Sequence, residues 1–166
     1  DKQGLYIAAV KRAHAAAQSD PREEWPDDLP AEEKLRAFIT GLLTMALSGE
    51  RESTASEMLV MREMVEPTRA TEEIVRSFIK PRFEQLDRIL AELLPAEVQA
   101  IDRHLLALSV VGQCIHYKIG RHIDRMLLSK SEYRRFTLPR LTDHVTRVTL
   151  AAVEAHWNAS QSVPSQ

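Results

Sequence analysis

The chain has 166 residues, 44% hydrophobic and 28% charged, which is ordinary for a soluble globular domain and leaves enough length for one sizeable core. Its 22 basic and 24 acidic side chains leave a net charge of −2, so it offers no overall attraction to a phosphate backbone and is by itself a poor nucleic-acid binder. A single cysteine, Cys114, excludes an internal disulfide framework and fits a reducing cytoplasm, and no stretch reads as a signal peptide, a membrane span or a lipidation motif.

With five glycines and few β-branched runs, the sequence favours helices over sheet. Residues 4–17 place Leu5, Ala8, Ala9, Ala13 and Ala16 at helical spacing, and the start, without a methionine, reads as a piece of a longer protein. Pro21, Pro26 and Pro30 then break the helix. Pro30 opens the next one, with Glu32 and Glu33 suited to its positive dipole end, and Leu35, Phe38, Ile39, Leu42 and Ala46 form one apolar stripe. Gly49 ends that helix. Thr54 and Glu57 match a capping box for a short helix carrying Met58, Leu59, Met61, Met64 and Val65, which Pro67 stops.

The spacing predicts a further helix over 71–94, with Ile74, Val75, Phe78, Ile79, Phe83, Leu86, Ile89, Leu90 and Leu93 inward. Pro81 lies within it, removes the hydrogen bond to the Ser77 carbonyl, and should bend the helix. The run LLALSVVGQCI, residues 105–115, has no charged side chain and belongs to a helical pattern reaching about Leu128. At about 100° per residue, Leu105, Leu108, Gly112, Ile115 and Ile119 share one face, and Leu106, Val110, Gln113 and Tyr117 share the opposite one. Such a helix must be covered on every side. A polar link over 129–135 leads to a last helix over 138–157. There Leu138, Leu141, Val145, Val148, Ala152 and Ala155 form a heptad-type seam, Leu150, Val153 and Trp157 form a second stripe, and the tail from Asn158 is expected to fray.

The fold class is therefore all-α, a bundle of six to seven helices. Two of them are two-faced; they could both be central to a larger monomer, but the five or so other helices would cover both completely only with difficulty. The expectation is a homodimer through the last two long helices, with Leu108, Gly112, Ile115 and Ile119 from the first and Leu141, Val145, Val148 and Ala152 from the second. Gly112 would let two backbones approach closely.

None of the six histidines has a partner at metal-ligand spacing, Cys114 lacks a CxxC partner, and neither a nucleophile elbow nor a phosphate-binding glycine loop is present. No catalytic residue, metal or cofactor is assigned. The features point instead to a cavity. Met58, Met61 and Met64 suit a surface that repacks around varied guests, Phe78 and Phe83 flank the Pro81 bend, and Arg62, Gln113, His116 and Tyr117 set polar groups among apolar ones. The Gln113–Tyr117 side is assigned to this pocket and the Gly112 side to the dimer.

The order of parts resembles the TetR family of bacterial transcriptional regulators. DKQGLYIAAV, with Lys2, Leu5 and Tyr6, looks like the end of that family's helix-turn-helix domain leading into its connecting helix. MLVMREMVEPT (58–68), FIKPRFEQL (78–86), LALSVVGQCIHYKIGR (106–121) and FTLPRLTDHV (136–145) look like the C-terminal domain of the CecR-like branch. The resemblance implies a connecting helix over 1–17, after a helix-turn-helix absent from this sequence, and an effector-binding and dimerisation domain over 18–166. It further implies a cytoplasmic repressor that takes a small hydrophobic or aromatic effector, tilts the connecting helix, and meets operator DNA only through the absent heads. Two other readings stand beside it. One is a helical enzyme using His116, Tyr117 and Glu63; the other is a structural dimerisation module with a filled core.

Overall fold

A computed structural model describes residues 8, 25, 26, 28–47, 63 and 65–161. Apart from Ala8, the expected connecting helix over 1–17 lies outside the described residues, and so, apart from Glu63 and Val65, does the expected short helix from Thr54, with Met58, Met61, Arg62 and Met64. Within them the regular structure is helical: α1 (Ala31–Leu47), α2 (Arg69–Ile74), a π-helical turn (Val75–Ile79), α3 (Lys80–Leu93), α4 (Ala100–Ile119), α5 (Arg121–Leu127), α6 (Lys130–Tyr133) and α7 (Leu138–Gln161). No helix among the described residues is long and apolar enough to cross a membrane. The chain divides into two compact units, Asp1–Glu24 with Ser48–Gln85, and Trp25–Leu47 with Leu86–Gln166.

In the first unit, Glu63 is 2% exposed. Its Oε2 accepts from the Thr71 hydroxyl at 2.6 Å, the Thr68 hydroxyl at 2.8 Å and the Thr68 N–H at 3.2 Å. A buried carboxylate is tolerable when its lone pairs are filled in this way, and its charge beside the start of α2 complements the helix dipole. A π turn stands just before Pro81, where the sequence predicts a bend. The Lys80 N–H bonds five residues back to the Val75 carbonyl, and the wider turn accommodates a ring that would otherwise collide with the Ser77 carbonyl. The extra residue also rotates the register. Val75 and Ile79, expected inward, are 40% and 44% exposed, while Ile74 is buried.

The second unit is built on α1. Its apolar residues recur every three or four positions, so Leu35, Phe38, Ile39, Leu42, Leu43 and Ala46 all turn inward. They pack against α4 and α7, with Leu86, Ile89 and Leu90 of α3 completing the core. Each large side chain buried here contributes about 1.5–3 kcal/mol. Polar ties fix the helix ends. Lys34 pairs with Glu92 at 2.8 Å, and Arg103 meets Asp87 side-on at 2.6 and 3.1 Å. Arg121 donates to the Ala46 carbonyl, filling an acceptor in the last turn of α1.

Three boundaries differ from the sequence pattern. The predicted single helix to Leu128 is divided at Gly120 into α4 and α5. The supposed polar link contains α6, started by a capping box in which the Ser129 hydroxyl accepts from the Glu132 N–H and the Glu132 carboxylate accepts from the Ser129 N–H. Hydrogen bonds from the Ser129 hydroxyl and N–H hold that carboxyl below its ordinary value. Finally, α7 continues through the expected frayed segment to Gln161, with no proline or glycine to stop it.

Candidate functional site

The two faces of α4 part company. Ala107, Val110 and Cys114 lie in the core at 0–1% exposure. On the far side, Ile101, Leu105, Leu108 and Ile119 are 55–58% exposed, although nothing about their chemistry favours water. Gly112, in the middle of that stripe, has open space where a side chain would project. The stripe continues in sequence onto α5, where Ile123, Met126 and Leu127 are 58–76% exposed. Scattered exposed aliphatics need no explanation, but a helix-long row of them is uncommon on the surface of a monomer.

On α7 the correction is larger. Leu141 and Val145, expected at the dimer seam, are 4% and 0% exposed in the protomer and so have no surface left for a partner. The heptad spacing is genuine, but the helix rotates so that these residues point at α1, together with Thr142, Thr146, Thr149 and Val153. Val148, 41% exposed, lies on the flank beside that buried strip, and half-buried Ala152 sits one turn further along it. Threonine carries a methyl on a β-branched stem, so it packs in the core where a polar label would place it outside.

At the C-terminal end of α4 the side chains form a connected set. The His116 ring lies over Gly120, where an added Cβ would come within 2.7 Å of His116 Cε1 and 2.9 Å of its carbonyl. Glycine therefore permits the close turn into α5, closed by a Gly120 N–H to His116 carbonyl bond of 2.7 Å. His116 Nε2 also reaches Asp124 Oδ1 at 3.2 Å, satisfying a carboxylate that is 7% exposed. Tyr117 meets His116 and Phe136 edge to face, with centroids 5.6 and 5.9 Å apart, and Tyr133 and Arg125 extend the cluster. Burial chiefly, with charge repulsion from Cys114 and Asp124, raises the Tyr117 phenol above its ordinary value.

Of the residues expected to line a pocket, His116 and Tyr117 stand together here, and Gln113, one turn back, donates its amide to the Ser109 carbonyl of its own helix at 3.3 Å. Phe78 and Phe83, both half-buried, belong to the first unit. Asp124, Gly120 and Phe136 were not singled out from the sequence. Histidine, glycine and aspartate at four-residue intervals (116, 120, 124) were the signal available.

An all-α domain with a filled core on one side of its penultimate long helix and an unpartnered apolar row on the other has the architecture of the C-terminal domain of a TetR-type transcriptional regulator. The family described as HTH-type transcriptional dual regulator CecR, C-terminal domain, matches residues 31–153, and the chain belongs to that family. That description is of a regulator domain. Among curated proteins nothing matches the chain.

Proposed function

We propose that the chain is the effector-sensing and dimerising part of a cytoplasmic TetR-type repressor. In this reading a small hydrophobic or aromatic effector shifts the connecting helix expected over 1–17. That shift changes how helix-turn-helix heads engage operator DNA. The observation that carries the reading is the exposed apolar row of α4. Half-exposed leucine and isoleucine side chains leave about 1 kcal/mol each of burial unrealised, and a two-fold partner presenting the same row recovers it. The interface assigned is Leu108, Gly112, Ile115 and Ile119 with Val148 and Ala152. Effector contact on α4 is assigned to Gln113, His116 and Tyr117, where polar tips stand among rings.

Sedimentation velocity tests the dimer. The wild-type chain is expected to sediment as a dimer at tens of micromolar, and Leu108→Asp as a folded monomer with unchanged helical circular dichroism. A wild-type chain that is monomeric throughout that range sinks the reading. A thermal-shift screen of small aromatic compounds tests the effector: a saturable rise in Tm, lost in Tyr117→Ala, is expected by mass action. A core that no compound stabilises would instead support a structural dimerisation module.

A further inference from the structure

The last helix has a strip that neither the core nor the proposed dimer uses. Asp143, Arg147, Leu150, Glu154 and Trp157 follow one another at intervals of four, three, four and three, which keeps them on one side of α7. At about 100° per residue, that side lies across the helix from Val148. With Glu32 and Arg36 of α1 and Leu93 at the end of α3, the strip bounds an open groove of about 630 Å³ within the second unit. That volume lies in the range of small-molecule sites.

Three properties of the groove select a class of guest. Its apolar surface comes from Leu93, Leu150 and Trp157. The Trp157 N–H is already spent on the Leu93 carbonyl at 2.8 Å, so the 44% exposed indole offers its ring and not its donor. Its charge is unbalanced: Arg36 and Asp143 neutralise each other in an ion pair, which leaves the carboxylates of Glu32 and Glu154 against the single guanidinium of Arg147. Glu154 precedes Trp157 by three residues, so carboxylate and indole are neighbours on the helix surface.

The third property is Thr146, which lines the groove and is 5% exposed. Its hydroxyl oxygen is buried with no hydrogen-bond partner. Thr142 shares this lack, but three other helical threonines among the described residues do not. Thr40, Thr44 and Thr149 each donate to the carbonyl four residues back at 2.8 Å. An unbonded buried hydroxyl lowers stability, and valine fills the same volume without that cost. Rotation about the Cα–Cβ bond of Thr146 carries its hydroxyl to another staggered position, from which it can meet a polar group of a guest.

We propose that this groove is a second ligand site, independent of the dimer and of the effector contacts on α4, and that it binds an aromatic amine in its cationic form. The aromatic body packs on Leu150 and Trp157. The ammonium sits beside Glu154 and Glu32, where the indole face adds cation–π attraction. A hydrogen-bonding group on the guest meets Thr146.

Calorimetric titration of the full chain tests this with 1-naphthylmethylammonium, using 1-naphthylacetate as the size-matched anion. Saturable binding of the amine and much weaker binding of the acid are expected. Glu154→Gln is expected to weaken the amine several-fold and to narrow the gap to the acid. Thr146→Val is expected to raise Tm while weakening the amine, a combination that a merely structural threonine would not give. Absence of saturable amine binding up to the low millimolar range overturns the proposal. So does equal binding of acid and amine, or binding that neither variant alters.

Discussion

Helices α1 and α4 are built from similar proportions of apolar residues and lie against each other, yet they dispose of those residues in opposite ways. Helix α1 turns its large side chains inward, with Leu35, Ile39 and Leu43 fully buried. Helix α4 turns small ones inward, Ala107, Val110 and Cys114, and leaves Leu105, Leu108 and Ile119 more than half exposed. Small residues at the contact let the α1 leucines sit close to the α4 backbone, as interdigitation requires. The sorting by size carries the lesson. A helix that served only its own protomer would place its leucines in the core, and the outward leucines of α4 are what the proposed dimer needs.

The largest expected effect exploits that asymmetry. Leu43→Ala removes a fully buried side chain from the contact of α1 with its neighbours and should lower unfolding free energy by about 3 kcal/mol. Leu105→Ala, at a position 55% exposed, should cost less than about 1 kcal/mol in urea unfolding at concentrations dilute enough to keep the chain monomeric. Equal losses at the two sites would erase the distinction between the helices. Gly120→Ala comes next. Its φ of −80° suits any residue, so the penalty is steric. The His116 ring can swing aside, but the His116 carbonyl, 2.9 Å from the new Cβ, is held by the helix. A loss of about 1–3 kcal/mol is expected, with the His116 imidazole resonances shifting as its contact with Asp124 loosens.

The sequence pattern identified helices well where one face is apolar and the ends carry strong signals, as in α1 between Pro30 and its last leucine. It located the outward row of α4 because leucine and isoleucine at three- and four-residue spacing read the same whether a core or a partner covers them. That is also why it misplaced Leu141 and Val145: periodicity gives a stripe but not what the stripe faces. The threonines of α7 carry a polar label, so an apolar pattern leaves Thr142, Thr146 and Thr149 out of the buried strip they help to form. The break at Gly120 was hidden by apolar residues continuing in register on both sides. Pro81 announced a disturbance, while the π turn that absorbs it depends on where neighbouring side chains pack. The capping box Ser129–Glu132 was readable as serine followed three residues later by glutamate, and the helix it starts is only one turn long.

Smaller effects test whether the buried face of α7 is as described. Thr142 is 3% exposed, and its hydroxyl, like that of Thr146, has no partner, whereas Thr149 is equally buried and bonded at 2.8 Å to the Val145 carbonyl. Thr142→Val should therefore raise stability by about 1 kcal/mol, while Thr149→Val should be neutral or mildly destabilising. The two variants share shape, helix and change in polarity, so a difference in their urea midpoints isolates the unmade hydrogen bond. A stabilisation of the same size at both sites would mean that methyl packing, and not the orphaned hydroxyl, is responsible.

The smallest effect near neutral pH concerns Cys114, on the inward face of α4. Burial pushes its thiol from an ordinary value of 9.0 up to about 12. In the unfolded chain the thiol ionises near its ordinary value, so between about pH 9 and pH 12 the unfolded state holds fewer protons than the folded one. The contribution of Cys114 to stability is thus constant below pH 9 and declines as pH rises from there towards 12. At pH 8 the same burial predicts that Ellman's reagent modifies the folded chain slowly and the urea-unfolded chain rapidly, because the attacking species is the thiolate. Rapid modification in native buffer, at a rate that urea does not change, would place Cys114 on the open face of α4. It would thereby reverse the assignment of which side of that helix is core.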